Sequence, residues 1–276
     1  MLYLTGTPIG NKDDLSPRAM EVLGNVDLIA CEDTRRTGLL LSSFGIKNKL
    51  VSYHEHNKAS KGAQLIEKML QGADIALVSD AGMPCINDPG EDLVRECISN
   101  GIEVTVIPGP VAAITALCIS GLPAATFHYE GFLPSEGGPR KKRIEKLRTI
   151  DETIILYEAP HRLCKLIKEL DEAGFGGCRA AFCRELTKKF EQVIRLSIRD
   201  SVSYFEETPP KGEFVVVLEP LGEENDPAAM TDDDIDAAIL RLHEEGLSTK
   251  QIASKIAGLS GNGKKEMYAR VINLIK

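Results

Sequence analysis

Several features that mark familiar classes of protein are missing from this chain of 276 residues. It has no tryptophan, aromatic residues make up only 5%, and no apolar run approaches the roughly 20 residues of a membrane-spanning helix. The first ten residues, MLYLTGTPIG, lack the basic and apolar regions of a secretory signal peptide. We therefore expect a cytoplasmic protein that makes no membrane contact.

Paired cysteines are also missing. The seven cysteines are an odd number and contain no CxxC pair. Disulfide frameworks and thiolate zinc sites show paired spacings, so neither is expected here. Because most of the seven have apolar neighbours, we interpret them as reduced core residues of a cytosolic protein.

The motifs of several common enzyme classes are absent as well. GxGxxG, the Gly-Lys-Ser/Thr end of a P-loop, HExxH and GxSxG do not occur. His54 and His56 form the nearest approach to a metal-binding pattern, and two imidazoles alone are weak evidence, so we expect no metal. The net charge of −8 argues against a general nucleic-acid coat but leaves room for local basic patches.

The stretch from residue 75 to 90, IALVSDAGMPCINDPG, organises the first part of the chain. Its apolar start, Ile75 to Val78, predicts a strand buried on both faces of a parallel sheet. Asp80 follows at the carboxyl end, where α/β sheets bind ligands, and Asp88 and Pro89 are predicted to start the next helix. The alternative is an ordinary strand-to-helix turn, and the pattern alone does not choose between the two.

Strands alternate with helical patterns over roughly residues 1–120, which predicts an N-terminal α/β domain with a parallel sheet. Ser16 and Thr34 are the predicted caps of two of its helices. Small residues, carboxylates, imidazoles and arginines collect in the loops at strand ends. Such loops suit a bulky ligand held largely by backbone. The predicted strands are 2–4, 27–31, 50–53, 75–78 and 103–107.

Residues 121–221 predict a second α/β domain with a mixed sheet. Its start, 121–143, is rich in glycine and proline and predicts a crossover with a mobile loop. The basic run from Arg140 to Arg143 either grips phosphates or is a solvated helix start beside Glu145, and the second is slightly favoured. The predicted strands are 153–157, 179–183, 191–197 and 213–218.

Residues 222–276 predict a linker followed by a small helical unit, with Thr231 as its first cap. The unit is a helix-turn-helix-like element that contacts RNA or, with equal weight, an appendage packed on the body or on a dimer partner. Its basic residues are Lys250, Lys255, Lys264, Lys265, Arg270 and Lys276.

Eight segments then carry a resemblance: TPIGN, CEDTRRTG, SYHEHN, SDAGMPCINDPG, IPGPVAA, LYEAPHR, RELTKKFE and KGEFVVVLE. In this order they resemble the bacterial ribosomal RNA small-subunit methyltransferase I family, part of the tetrapyrrole methylase (class III) superfamily. The resemblance covers about residues 1–220, and the tail resembles the family's helical extension more loosely. GTPIGN stands where many superfamily members carry GxGPGD, which weighs against a tetrapyrrole substrate.

The resemblance implies the fold class and the cofactor. It implies two α/β domains with a cofactor cleft between them, a small C-terminal helical extension and a homodimer. The implied cofactor is S-adenosylmethionine, and the implied reaction is 2'-O-methylation of a cytidine in 16S rRNA, at the decoding region of the small ribosomal subunit. The superfamily's cofactor segments fall on Pro8, Asp80, Met83, Val111, Ala112, Tyr157, Glu158, Lys211 and Gly212.

Methyl transfer to a ribose hydroxyl requires alignment of oxygen, methyl and sulfur, and a base that assists a poor nucleophile. The candidates for this base are His54 and Glu55, then Asp33. The candidates for binding the RNA backbone are Glu32, Arg35, Arg36, Arg162, Arg184 and Lys188.

Two other classes of protein remain open. A tetrapyrrole methyltransferase of the precorrin type would bind a small macrocycle instead of RNA. A non-catalytic ribosome-binding protein would use the basic tail without a methyl donor, although phosphate contacts need a basic face that the net charge does not favour.

Overall fold

The structure, a computed structural model, describes residues 1–222, 232–244, 246–260 and 263–275. Two compact units divide the chain. The first comprises Met1–Ala116 with Glu185–Gln192, and the second Leu117–Arg184 with Val193–Lys276. The predicted cap Thr231, most of the predicted linker and Lys276 lie outside the described residues.

A five-stranded sheet forms the centre of the first unit. Its strands are β1 (Leu2–Thr5), β2 (Leu28–Cys31), β3 (Leu50–Ser52), β4 (Ile75–Val78) and β5 (Val104–Ile107). They run in the order β3-β2-β4-β1-β5, and every neighbouring pair is parallel. The parallel wound sheet predicted from the alternating pattern is therefore confirmed.

Helices cover both faces of this sheet. Along β4, Ile75 and Leu77 pack into one apolar core and Ala76 and Val78 into the other. Helices α3 and α4 contribute to the first core and α1 and α2 to the second, which is why all four residues of the strand are buried. The helices are α1 (Pro17–Asn25), α2 (Thr34–Ser43), α3 (Lys58–Leu70), α4 (Glu91–Ser99) and α5 (Ala112–Ser120).

The predicted caps are right in one case and wrong in two. Ser16 caps α1, as expected, by accepting from the N–H of Ala19. Asp33, not Thr34, caps α2, because Thr34 is already the first helical residue and the Asp33 carboxylate accepts from the N–H groups of Arg35 and Arg36.

Asp88 and Pro89 do not start a helix. Helix α4 begins at Glu91, after Gly90 with φ 151°. Asp88 hydrogen-bonds to Ser79 instead of to the helix end. The loop between them turns through left-handed conformations at Gly82, Cys85 and Asn87, and this folded path removes Asp88 from the cap position.

A second five-stranded sheet lies in the second unit. Its strands are β6 (Phe127–Phe132), β7 (Thr153–Glu158), β8 (Arg179–Arg184), β9 (Gln192–Ser197) and β10 (Phe214–Leu218), in the order β6-β7-β10-β8-β9. Strand β10 runs antiparallel to β7 and β8, whereas β6 runs parallel to β7. The predicted mixed sheet is confirmed.

The predicted mobile loop over 121–143 is wrong, because it contains β6 and the start of α6 (Gly137–Leu147). Strand β6 carries Gly131 at an irregularity in its pairing, so the alternating pattern that marks strands is broken there. The other helices of this unit before the tail are α7 (Pro160–Glu172) and α8 (Ile198–Glu207).

The tail folds as three helices with an apolar core of its own, α9 (Asp232–Glu244), α10 (Thr249–Ser260) and α11 (Lys264–Leu274). Ile239, Ile256 and Val271 each contribute a fully buried side chain to that core. None of the described helices combines the length and apolar character needed to cross a membrane. All seven cysteines are free thiols, and Cys118 alone among them is exposed.

Candidate functional site

Two motif loops are joined at the carboxyl ends of β1 and β4. Thr7 and Gly82 exchange backbone hydrogen bonds in both directions, at 2.9 and 3.0 Å. The Thr7 hydroxyl also donates to the carbonyl of Ser79 at 3.0 Å. Because the helices after β1 and β4 lie on opposite faces of the sheet, this edge is a topological switch point, the place where open α/β sheets bind ligands.

The loops after β1, β4 and β5 together supply the surface of this edge. A Cβ atom on Gly6 would lie 2.7 Å from the Sδ of Met83, so the thioether packs directly against the loop after β1. Pro8, Val111 and Ala112 are each half-buried here. These predicted cofactor residues of the first unit thus supply small or apolar surface on three adjoining loops.

One buried polar atom at this edge has no partner. The Thr5 hydroxyl is fully buried and forms no hydrogen bond within the described part of the chain. Buried hydroxyls are normally satisfied, so this oxygen is suited to a bound polar group. Together with the apolar Met83 and the close backbone packing, it fits a donor such as S-adenosylmethionine, which needs no phosphate cradle.

Asp80 joins the loop after β4 to the loop after β2. Its Oδ1 accepts from the backbone N–H of Asp33 at 3.1 Å, and its Oδ2 pairs with the guanidinium of Arg36 at 3.2 Å. The Asp80 side chain is 20% exposed. One carboxylate therefore orients the start of α2 and still has surface available to a ligand.

Asp33 has its carboxylate committed to local contacts. It accepts from the backbone N–H of Arg35 at 2.8 Å and pairs with that residue's guanidinium at 3.2 Å. The Arg35 guanidinium, helped by the capping N–H groups, lowers the pKa of Asp33. A carboxylate of lowered pKa is a weaker proton acceptor, which counts against Asp33 as the base.

A further acidic group, missed in the sequence, lies beside this cluster. Burial, followed by the nearby charges of Glu32 and Asp80, raises the pKa of Asp88 to about 6, against a hydrogen bond from Ser79. Glu32 itself is exposed. The sequence marked Asp88 only as a predicted helix cap in the same motif as Asp80, with no sign of its raised pKa.

His54 and Glu55 follow β3, next to β2 in the sheet, so they lie at the same sheet edge. The Asn57 amide accepts from the backbone N–H of His54 and donates to the carbonyl of Ser52, at 2.9 and 3.1 Å. Its Nδ2 therefore also faces His54 Nε2, 3.3 Å away, as a donor. The other ring nitrogen, Nδ1, is buried without a partner among the described residues.

Glu55 is exposed and forms an ion pair. Its carboxylate lies 2.9 Å from Lys58 Nζ, which also pairs with Asp92 at 2.8 Å. The side chain of Glu55 therefore competes for a lysine that already has a second anionic partner.

As to metals, the described residues contain no group of three or more His, Cys, Asp or Glu side chains placed to hold an ion.

Lys188 belongs to the segment 185–192, which joins β8 to β9 in sequence but belongs to the first unit. The segment is held there by a hydrogen bond from the Asn11 backbone to the Thr187 hydroxyl at 2.9 Å. Lys188 itself pairs with Glu185 at 3.2 Å. This candidate for binding RNA is thus placed beside the TPIGN loop.

Two predicted residues of the second unit form a buried ion network. Glu158 is fully buried and lies 2.7 Å from Arg162 and 3.3 Å from Arg140. Arg140 is only 1% exposed and also pairs with Glu169 at 2.7 Å. For Arg140 both interpretations, phosphate contact and solvated residue, are therefore wrong, because its guanidinium is inside the unit, whereas Lys141 and Lys142 are exposed on the start of α6, as the favoured alternative predicted.

The remaining candidates of the second unit gather at one edge of its sheet. Tyr157 is half-buried near the end of β7, with its ring centroid 5.4 Å from that of Phe132. Arg184, at the end of β8, donates to the backbone carbonyl of Lys211 at 2.5 Å. Gly212 has φ 84°, a conformation that favours glycine, so KG forms the tight turn before β10.

Comparison with known proteins gives the class of this protein. The family model described as Tetrapyrrole (Corrin/Porphyrin) Methylases matches residues 1–201. The solved structure of a uroporphyrin-III-C-methyltransferase from Thermus thermophilus is similar in fold, with a TM-score of 0.57 at 23% identity over 78% of this chain and 93% of that one. A diphthine synthase is also similar, with a TM-score of 0.63 at 16% identity over 79% and 89%.

Curated relatives are more specific. The ribosomal RNA small subunit methyltransferase I of Mesorhizobium japonicum is 41% identical over 99% of this chain and 92% of its own length. That of Synechocystis is 42% identical over 99% and 98%. The chain therefore belongs to the tetrapyrrole methylase family and, within it, to the ribosomal RNA small subunit methyltransferases I. The predicted resemblance, fold class and S-adenosylmethionine-dependent methyltransferase are confirmed.

Proposed function

We propose that this enzyme transfers a methyl group from S-adenosylmethionine to the 2'-hydroxyl of a cytidine in the 16S rRNA of the small ribosomal subunit, at the decoding region. The observation that carries the proposal is full-length similarity at about two-fifths identity to relatives named for methylation of small-subunit RNA. The loop edge of the first sheet supports it, because it combines an apolar donor surface with carboxylates and exposed arginines.

The donor, when bound, supplies an electrophilic methyl group. The new bond joins this carbon to the ribose oxygen, the bond from carbon to sulfur breaks, and the hydroxyl proton passes to a base. We propose that Pro8, Met83, Val111 and Ala112 hold the donor through apolar and backbone contacts. Asp80 accepts hydrogen bonds from its ribose hydroxyls. The candidates of the second unit for the same role are Tyr157, Glu158, Lys211 and Gly212. Glu158 is buried in its ion network, so its proposed part is to hold Arg162 and Arg140 in place rather than to touch the donor.

Of the three candidates for the base, His54 retains the most suitable acceptor. Asp33 is paired with Arg35 and Glu55 with Lys58, whereas the acceptor nitrogen of His54 meets only the neutral Asn57 amide in the described residues. Exchange of that amide for the substrate hydroxyl would let Nε2 take the proton. We therefore propose His54 as the base, ahead of Glu55.

The RNA backbone needs accessible cations. Among the candidates, Arg35 and Arg36 have side chains that are 89% and 71% exposed, so we propose them as principal phosphate contacts. Arg162 pairs with buried Glu158, and Arg184 donates to a backbone carbonyl. We therefore propose that both arginines hold neighbouring groups of the protein in place and do not contact the RNA directly. Glu32 is exposed at the same edge and suits a sugar hydroxyl rather than a phosphate.

The tail is the other proposed RNA contact. Lys250, Lys255, Lys264 and Lys265 are exposed on α10 and α11, whereas Arg270 is engaged by Asp232 and by Asp236, the latter at 2.7 Å. Because two carboxylates compensate its charge, Arg270 joins α11 to α9, and the proposed phosphate contacts are the four exposed lysines. The homodimer and the cytoplasmic location implied by the resemblance remain predictions.

The direct test is methyl transfer from labelled S-adenosylmethionine to small subunits from cells that lack the enzyme, with the modified nucleotide mapped. Label on a cytidine ribose is the expected result. Donor binding without label on any subunit would refute the substrate and make a tetrapyrrole the next to test. Absence of donor binding would refute the methyltransfer mechanism.

A further inference from the structure

The segment 185–192 has a backbone shape that its sequence does not favour. Glu185 and Thr187 adopt left-handed conformations, with φ of 50° and 63°. Outside this segment, the other non-glycine residues with positive φ among those described are Cys85 and Asn87, in the Asp80 loop. Strained residues of this kind persist only where the surroundings impose them.

Short contacts hold the segment in place. The Thr187 N–H donates to the Glu191 carboxylate at 2.6 Å, which closes the loop on itself. The Thr187 hydroxyl accepts from Asn11, and a Cβ on Gly10 would lie 2.5 Å from the Cγ of Lys188. The segment is thus packed tightly against the TPIGN loop at the edge that carries the proposed donor site.

This anchored loop presents an aromatic ring to solvent. Phe190 is 63% exposed, and the ammonium of Lys189 lies 5.7 Å from its ring centroid. Single exposed apolar side chains are common, and Leu39 at 74% is more exposed than Phe190, so the exposure of the ring matters here because a cation lies beside it on an anchored loop. An aromatic ring can stack on the base of a nucleotide, and an adjacent cation can pair with its phosphate.

We propose that Phe190 is a stacking platform for an unpaired base of the RNA substrate and that Lys189 contacts the neighbouring phosphate. The inference rests on the proposed function, whose substrate must be presented with its ribose accessible. Proteins recognise unpaired RNA mainly by stacking bases on aromatic rings and by pairing phosphates with cations. With a net charge of −8, the chain must supply those cations locally.

The test compares variants for methyl transfer to small subunits and for donor binding. Phe190→Ala and Phe190→Leu are expected to lower kcat/KM for subunits about ten-fold, chiefly through KM, because both remove stacking. Phe190→Trp should retain the wild-type value, and donor affinity should be unchanged in all three. Phe127→Ala is the matched control, since Phe127 is also exposed, at 38%, but lies on β6.

Lys189→Gln tests the phosphate contact separately. It is expected to reduce the slope of log affinity against log salt by about one, the value for one lost phosphate contact. Loss of stacking in Phe190→Leu should leave that slope unchanged. An unchanged slope in Lys189→Gln would contradict the assignment of the lysine.

Three results would overturn the inference about Phe190. The first is wild-type kcat/KM in Phe190→Ala while the wild-type enzyme methylates subunits. The second is a Phe190→Trp variant as impaired as the alanine variant. The third is a change of oligomeric state in Phe190→Ala by sedimentation, which would assign the ring to a second copy of this chain. Failure of the wild-type enzyme itself would count against the proposed function instead.

Discussion

Gly6 and Gly109 are packed backbone against backbone. A Cβ atom on Gly6 would lie 2.6 Å from the Cα of Gly109, and one on Gly109 would lie 2.7 Å from the Cα of Gly6. Neither position can accept a side chain, because the atoms in the way belong to the main chain and cannot rotate aside. This contact sets the distance between the loops after β1 and β5.

Gly6→Ala is therefore expected to destabilise the protein by about 2 kcal/mol or more and to weaken donor binding, since the two loops must separate. Unfolding in denaturant and calorimetric titration with S-adenosylmethionine measure the two effects. The control is Gly24→Ala, within α1, where an added Cβ meets nothing within 4 Å. This change should stabilise the protein by roughly 0.5–1 kcal/mol, and equal behaviour of the two variants would contradict the packing argument.

His54→Ala is expected to lower kcat by about 100-fold or more, with donor affinity changed less than about two-fold, because a lost general base affects the chemical step. Glu55→Ala should also lower turnover more than donor affinity, to a smaller extent. Single-turnover methylation and equilibrium binding separate the two quantities. His56→Ala is the control, as its exposed ring lies 6.0 Å from that of His54. Wild-type turnover in both the His54 and Glu55 variants would exclude the assignment.

Asp88 should make stability depend on pH. Its pKa is raised from 3.8 to about 6 in the folded protein, mainly by burial, so the folded form holds a proton that the unfolded chain releases between these values. The stabilising contribution is complete below about pH 4 and is lost as the pH rises through about 6.

Asp88→Asn should therefore stabilise the protein at pH 7.5 by about 1–2 kcal/mol, after allowance for partial exposure, and have little effect at pH 4. Thermal unfolding of both proteins across this range measures the difference. Asp13→Asn, at an exposed site, provides the comparison. A constant difference between wild type and Asp88→Asn at every pH would show that Asp88 is not the titrating group.

Arg140→Met is expected to destabilise the protein by about 3–5 kcal/mol, because it removes one partner of a buried carboxylate and leaves Glu158 with less compensation. Denaturant unfolding measures this cost. Arg35→Met, at a side chain that is 89% exposed, should change stability only slightly but weaken subunit binding. The reverse pattern, with Arg140→Met stable and deficient in RNA binding, would restore the phosphate role for Arg140.

Much of the fold was predictable because local patterns set it. The uninterrupted run from Ile75 to Val78 predicts a strand buried on both faces, and the structure shows it at the centre of the first sheet. Strand β6 was not predictable in this way. Its residues Phe127 and Phe132 are exposed and Gly131 interrupts its pairing, so its partner β7 stabilises it more than its own pattern does.

The roles of the site residues remain predictions, but the places of some of them in the fold were predictable. Motif resemblance identified Asp80 and Met83, and both lie at the carboxyl edge of the sheet. It did not indicate that Asp88 is a half-buried acid of raised pKa or that Glu158 lies within an ion network, because burial and ion pairing depend on elements distant in sequence. The cap of α2 was also missed, since Asp33 and Thr34 both favour that position.

The sequence by itself determined the alternation of strands and helices in the first unit, the parallel character of its sheet and the family, since periodicity and motifs are written along the chain. Only the tertiary structure decided which side chains meet. Asp80 binds the backbone of Asp33, 47 residues away, and Thr187 binds Asn11, 176 residues away. The energy of such contacts depends on separation in space, which is fixed only when the sheet has assembled.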